Sequence, residues 1–399
     1  MKRTAVWVGA LVAGACLGMM GLEWLDGLAD FVATVYTRLF QLLAVPTIVL
    51  AVVTTFATFG SAGSGRIFGR TLAYTLLTTA AAASVGALLF WLVAPGNLSA
   101  DAIGQQATAM EAPGLTYYDH LLSIVPGNVV RPFLEGNVLS LLLLAFATGI
   151  GLSKLPDGDG KTAVVKVLQG LQDLLHLLIR WLIWTLPLGI VAFSAQLSAQ
   201  VSAGVVADSM GRYVLVVLGG NVVQFFVVLP LFLLARGLNP VRVLGRMMPA
   251  VLMALFTKSS AATLPVTMDT AERRLGARRE VARFVLPICT TINMNGCAAF
   301  ILVTSLFVMQ NGGTAITLPT VALWLLISVV SAVGNAGVPM GCYFLTLSLM
   351  SGIGAPVAIM GMILPVYTII DMVETAENVW SDSCVCAIVD AAEDGYTKG

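Results

Sequence analysis

The sequence predicts an all-α polytopic membrane protein whose second half is built as an inverted-topology repeat. Three observations carry that expectation. Of the 399 residues, 58% are hydrophobic and 11% charged, with a mean hydropathy of +0.92; a soluble domain carries about a quarter charged residues. Lys and Arg appear in alternate connections through the first half. Two apolar stretches in the second half are each broken by a polar tip. The formal net charge is zero, so no basic field invites nucleic acid.

Apolar segments of spanning length occupy 5–22, 31–59, 70–94, 121–153, 164–198 and 210–235. The first could pass for a signal peptide, but it lacks a clear A-x-A site and runs directly into further spans, so a retained first helix is expected. Lys/Arg bias sets orientation. With Lys2 and Arg3 inside, Arg66 and Arg70 fall inside too, as do Lys154, Lys161 and Lys166, then Arg236, Arg242 and Arg246. The outward connections carry no Lys or Arg.

The next stretch, PAVLMALFTKSSAATLPVTM (249–268), consists of two apolar pieces around Lys-Ser-Ser-Ala-Ala. Each piece is too short to cross about 30 Å of hydrocarbon. Basic residues flank both ends, Arg242 and Arg246 before and Arg273 to Arg283 after. That pattern predicts a re-entrant hairpin; as an ordinary span it would leave the second basic cluster on the wrong side. Residues 284–309 then cross outward, interrupted by TTINMNG (290–296), which a plain glycine-driven kink would also explain. Residues 318–352 repeat the hairpin theme around 333–339, and 354–389 return inside to a polar tail. Six spans, two hairpins, a broken helix and a final helix give eight transmembrane helices plus two re-entrant hairpins. The hairpins enter from opposite sides, the arrangement in which transporters place substrate and ions near the midplane.

The final helix contains DMVETAENVWSD, with four carboxylates in a segment of spanning hydropathy. Each costs roughly 2.5–3.5 kcal/mol at the bilayer centre. At 100° per residue, Asp371, Glu374, Thr375, Asn378 and Asp382 fall within an arc of about 100°, with Glu377 some 60° beyond it. A buried network satisfied by neighbouring helices is one reading. Carboxylates in i,i+3 register repel, however, and need a cation or a proton between them. The hairpin tips expose backbone groups suited to that task. Half-helix N-termini favour a substrate carboxylate, and unwound carbonyls favour a dehydrated Na⁺. The hydroxyl and amide oxygens of 290–296 are hard ligands for an alkali cation rather than zinc. The six cysteines and the two histidines, His120 and His176, form no metal pattern, and Cys384 and Cys386 read as packing residues. Enzymes would want a His, a second carboxylate cluster or a phosphate loop, and none is visible. A channel is the other rival, distinguished by current without stoichiometric uptake.

At these residues the chain resembles the dicarboxylate/amino acid:cation symporters over nearly its full length. The likeness is carried by TKSSAATLPVTM for hairpin one, TTINMNG for helix seven, GNAGVPMG for hairpin two and DMVETAENVWSD for helix eight. YTRLFQLLAVPTIVL, LLTTA and LPLGIVAF resemble helices two, three and five. The resemblance implies a homotrimer in the plasma (cytoplasmic or inner) membrane, with both termini in the cytoplasm. Its scaffold would comprise 1–69 (helices one and two) and 118–200 (four and five). Its transport domain would comprise 70–95 (helix three) and 204–389 (helix six, hairpin one at 241–268, helix seven, hairpin two at 318–352, helix eight), with 390–399 as a cytoplasmic tail. The transport domain would slide as an elevator.

The resemblance also implies site roles. Backbone groups near Ser259, Ser260 and Val338 would hold the substrate carboxylate. Asp371 would bind its ammonium, with Thr375, Asn378 and Met294 around it. For sodium, Asp382 with Asn293 and Asn378 would form one site, and carbonyls of Thr291, Ala332, Val333 and Asn335 a second. Thr78, Thr79 and Asn293 would contribute to a third. No organic cofactor is implied; Na⁺ is the coupling ion.

Departures from the family pattern sharpen the substrate question. Acidic-substrate members carry an Arg where this chain has Glu374, and a Thr where it has Cys297. Asn295 replaces an Asp of the seventh-helix signature, so the sodium site using that charge is weakened. The Glu-Thr-Ala-x-Asn pattern matches the serine/threonine branch, which favours a small neutral amino acid such as serine, threonine or alanine. Alternatives are a cationic amino acid reaching Glu374, an acidic amino acid or dicarboxylate, neutralisation of Glu374 by Lys258, and proton coupling through Glu374.

Overall fold

The computed structural model describes residues 2–20, 22–59, 65–98, 125–135, 138–201, 205–333, 335 and 340–397. Val338 and the outer connection 99–124 lie outside the described residues. Among the described residues the ordered elements are helical and no strand occurs. Among the described residues, four segments are long and apolar enough to cross a bilayer: Arg66–Val93, Asp208–Leu234, Arg279–Asn311 and Ala358–Glu393. These lengths and compositions are those of an integral membrane protein.

The first half opens with α1 (Lys2–Gly18) and the 37-residue α2 (Glu23–Phe59), both lying along the 43-residue α6 (Asp159–Val201). Close approach of α1 to α6 depends on Gly14 and Gly18, four residues apart on one face. A Cβ on Gly14 would fall 2.8 Å from the Ser194 Cβ, and one on Gly18 would fall 2.8 Å from the Ala195 carbonyl carbon. Small residues at this spacing let helix backbones meet where lipid offers no hydrophobic driving force. Between these come α3 (Gly65–Val93), the short α4 (Arg131–Glu135) and α5 (Val138–Lys154).

The second half surrounds one fully enclosed helix. α7 (Val205–Val223) passes through a π-helical turn, Gln224–Val228, into α8 (Leu229–Leu234). The first hairpin follows as α9 (Pro240–Thr257) and α10 (Ser260–Thr270). Asn239 caps α9 by accepting from the Arg242 amide at 3.1 Å, with Pro240 at the first helical position. The hairpin turns at Lys258, which is left-handed at φ 55°, and Ser259, which caps α10 through the Ala262 amide at 3.2 Å. A second π turn, Ala271–Leu275, and left-handed Gly276 lead into α11 (Arg279–Ile292). The chain breaks at Asn293 and Met294, then resumes as α12 (Asn295–Asn311), whose residues from Asn295 to Met309 are all buried. α13 (Leu318–Val333) and α14 (Gly341–Gly352) form the second hairpin, and α15 (Ala358–Thr397) closes the chain. α12 packs against α3, α7, α13, α14 and α15, so the break at its start sits in the middle of the second half.

The sequence places the end of the last helix near 389, followed by a polar tail. The structure carries α15 to Thr397 instead. Two ion pairs account for the extension. Arg278 donates from Nε to Asp390 Oδ1 at 2.9 Å and from a terminal nitrogen to the Asp390 carbonyl at 2.7 Å, while Arg70 pairs with Glu393. Both fasten the end of α15 to basic residues flanking earlier helices. Nearby, Glu272 accepts from Arg283 at 2.7 Å and from Arg279 at 3.2 Å, and those hydrogen bonds hold its carboxyl below the ordinary range.

Candidate functional site

α15 places Asp371, Glu374, Thr375 and Asn378 on one face because their spacings of three and four return to the same side of a helix. The structure surrounds that face. A small cavity is bounded by these four side chains, by Lys258 and Ser260 at the first hairpin tip, and by Met294 and Cys297 at the helix break. Asn335 and Cys342 of the second hairpin complete the wall. Of the residues proposed for substrate, Ser259 stands just outside the lining as the cap of α10, and Val338 lies outside the described residues.

Individual contacts orient these groups. Asp371 accepts from the Met340 amide at 3.3 Å, tying α15 to the second hairpin. Thr375 donates to the Asp371 carbonyl at 2.7 Å, within its own helix. Asn378 accepts from the Gly296 amide at 3.0 Å, which satisfies one of the free donors at the start of α12. Glu374 accepts from the Tyr367 hydroxyl at 3.2 Å through one oxygen, while its other oxygen is buried without a hydrogen-bond partner. Lys258 donates to the Thr368 carbonyl at 2.7 Å, across from the first hairpin to α15. It lines the same cavity as Glu374.

Beneath the cavity, a lattice of hydroxyl and amide groups binds three stretches of chain. The Thr78 hydroxyl of α3, within 2.9 Å of the Tyr74 carbonyl, lies 3.2 Å from the Asn293 side-chain oxygen and 3.3 Å from that of Asn295, and Thr79 donates to Asn295 at 2.8 Å. Asn293 in turn donates to Asp382 and to Ser381 of α15, both at 2.9 Å, and Asn295 donates to Ser381 at 2.7 Å. Thus Thr78, Thr79, Asn293, Asn295 and Asp382 meet in one network, joined by Ser381. Thr291 donates to the Ile288 carbonyl at 2.8 Å, near the end of α11. The end of α11 packs against the end of α13, where Ala332 and Val333 lie buried and the Ala332 carbonyl accepts from the Asn335 amide at 3.0 Å. Two helix C-termini meeting there present partial negative charge, the electrostatic setting a cation favours.

Sequence reasoning singled out Cys297 but missed its partner and several other members. Cys297 of α12 and Cys342 of α14 are joined as a disulfide, and Asn335 donates to both sulfurs at 3.1 and 3.0 Å. Their 45-residue separation carried no pairing signal. Ser381 and Tyr367 read as ordinary helix residues until their partners on other elements are in place. The remaining cysteines 16, 289, 384 and 386 are free, and all but Cys16 are buried.

Residues 4–392 match the sequence profile of the sodium:dicarboxylate symporter family. The chain belongs to that family. As a member of the sodium:dicarboxylate symporters it is a membrane transporter with sodium as its coupling ion, not an enzyme. Relatives include the neutral amino acid transporter B(0) of Oryctolagus cuniculus, 29% identical over 94% of this chain and 77% of its own length. The neutral amino acid transporter A of Homo sapiens is 27% identical over 98% of this chain and 82% of its own length. A Caenorhabditis elegans protein provisionally designated a sodium-dependent excitatory amino acid transporter, glt-4, is 28% identical over 92% of this chain and 84% of its own length.

Proposed function

We propose that this symporter imports a small neutral amino acid, of the serine, threonine or alanine kind, together with Na⁺. Glu374 on the cavity wall carries the reading. A substrate carboxylate brought to it would meet a buried carboxylate, and at an effective dielectric of 20 two like charges 4 Å apart repel by about 4 kcal/mol. The names of the two neutral amino acid transporters above support the same class. In this reading Asp371 takes the substrate ammonium, the amides of the first hairpin tip take its carboxylate, and Thr375 and Asn378 fix its orientation. The unpartnered oxygen of Glu374 accepts from a side-chain hydroxyl. That same oxygen would equally accept from an ammonium, which keeps a cationic amino acid as the second reading.

Transport proceeds, in this proposal, through eight spans and two re-entrant hairpins. Residues 70–95 and 204–389 move as the elevator against a trimeric scaffold of 1–69 and 118–200, and both termini face the cytoplasm. Sodium occupies the Asp382–Asn293–Asn378 site and the paired helix ends at Thr291 and Ala332 to Asn335. The Thr78–Thr79–Asn295 region is the weaker third position.

The test is uptake of labelled serine, threonine, alanine, lysine and aspartate into proteoliposomes, with and without an inward Na⁺ gradient. Neutral uptake that collapses without Na⁺ is expected, whereas Na⁺-driven aspartate uptake by the unaltered protein overturns the repulsion argument. Lysine uptake in place of neutral uptake selects the second reading. Glu374→Arg is expected to weaken neutral uptake; unchanged selectivity would place the determinant elsewhere. A pH series on the same vesicles tests whether Glu374 carries a proton through the cycle.

A further inference from the structure

Beside the Gly296 backbone, a second group of buried oxygens has no donor. Both carboxylate oxygens of Glu377 lack a hydrogen-bond partner, although the residue is 1% exposed. Asn221 of α7 presents its side-chain oxygen to the same place: that atom and the Glu377 Oε2 each lie 2.8 Å from the point where a Cβ on Gly296 would stand. The Asn221 oxygen is likewise buried and unpartnered. In this orientation the amide nitrogen donates to the Val217 carbonyl at 2.8 Å. Gln224 repeats the arrangement three residues on. Its nitrogen donates to the Thr78 carbonyl at 3.1 Å, and its buried oxygen is left unpartnered. Gln224 opens the π turn in α7–α8, a distortion common at functional sites.

Groups that only accept, gathered in a buried space, are costly unless something positive sits among them. A carboxylate with an amide oxygen is a hard-oxygen set, without thiolate or imidazole, matched to an alkali or similarly hard cation.

We propose that Glu377 and Asn221 form a further monovalent cation site between α7 and α15, separate from the positions around Asp382. Neither Glu377 nor Asn221 lines the substrate cavity, so filling the site couples α7 to α15 through groups other than the cavity wall. It rests on sodium coupling but not on the choice of substrate.

The experiment uses purified full-length protein without amino acid. Thermal melting is followed as NaCl replaces choline chloride at constant ionic strength, since an ion that binds only the folded form raises the melting temperature. In Glu377→Gln the Na⁺ concentration for half the stabilisation is expected to rise about tenfold, or the steepness of the Na⁺ dependence to fall by one ion. Asn221→Ala, which removes the amide oxygen and keeps the carboxylate, is expected to shift the midpoint in the same direction by a smaller factor. Both shifts together support the site. If both variants retain the wild-type midpoint and steepness, Glu377 is a neutral carboxylic acid donating to Asn221 and the proposal is overturned. Should Glu377→Gln not fold, Asn221→Ala decides alone. Because Na⁺ is the only solute varied, a wrong substrate assignment leaves this result untouched, and it appears separately in the uptake panel.

Discussion

Replacing Gly296 by Ala tests the contact on which both sides of the site depend. The added Cβ would lie 2.8 Å from the Asn221 and Glu377 oxygens and 3.0 Å from the Glu374 Cα. Carbon atoms at rest sit about 3.5–4.0 Å apart. The two side-chain oxygens can swing aside, but the Glu374 Cα is backbone, so α15 must retreat from α12 by about 0.5 Å or more. Overpacking of this kind costs about 1–3 kcal/mol, which corresponds to roughly a 5- to 150-fold loss in the affected equilibrium. The retreat also lengthens the Gly296–Asn378 hydrogen bond, now 3.0 Å, and carries Glu374 away from its station on the cavity wall. The assay is paired: the melting temperature of purified protein and the KM for Na⁺-driven uptake, with both expected to worsen. Gly219→Ala on α7 is the control. Its Cβ would meet only Leu89 Cδ1 at 3.7 Å, an ordinary contact, and the change gains up to about 1 kcal/mol of helix propensity. Wild-type melting and uptake in Gly296→Ala would refute the close approach of α12 and α15.

Three further outcomes are expected. Asp371→Asn keeps an acceptor for the Met340 amide but loses the charge; uptake should fall at least about 100-fold, as for loss of a charged contact worth about 3 kcal/mol, while melting stays near wild type, and retained uptake would remove Asp371 from the amine role. Maleimide labelling of denatured, unreduced protein should count four thiols, at cysteines 16, 289, 384 and 386, and six after reduction; six before reduction would show the Cys297–Cys342 bond absent. Glu272 has a folded-state pKa held down by Arg283 and Arg279, so its contribution to stability is present above its ordinary value of 4.5 and disappears as pH falls through the depressed one. Wild type and Glu272→Gln should therefore differ in melting at pH 7 and converge in strong acid; an equal gap at both would show that the pair does not titrate as described.

Much of this architecture was legible in the chain because membrane burial writes itself into composition. Two short apolar pieces around Lys258 and Ser259 cannot span, and the hairpin turns at those residues. The break expected in TTINMNG falls at Asn293 and Met294. The ladder Asp371, Glu374, Thr375 and Asn378 faces one cavity because helical periodicity alone fixes a face. What periodicity leaves open is the partner on the other side. Glu377 sits about 60° off the ladder, and nothing local says that Asn221, on a distant helix, turns an oxygen toward that region rather than a donor. Cys297 with Cys342, and Ser381 with Asn295, are equally long-range. The partners of the last turns of α15 were hidden for a related reason: Asp390 and Glu393 look like a solvated tail until Arg278 and Arg70 are placed beside them.

The lattice of Thr78, Asn293, Asn295 and Ser381 has a consequence for how the protein senses ions. Each member's hydroxyl or amide is oriented by a neighbour from another stretch of chain, and the set ends at the Asp382 carboxylate. In the proposed sodium position at Asp382, a cation would take the oxygen that Asn293 now serves, and Asn293 would turn its donor elsewhere. Ser381, which accepts from both Asn293 and Asn295, is one step from that change, so the helix break and α15 would register it together.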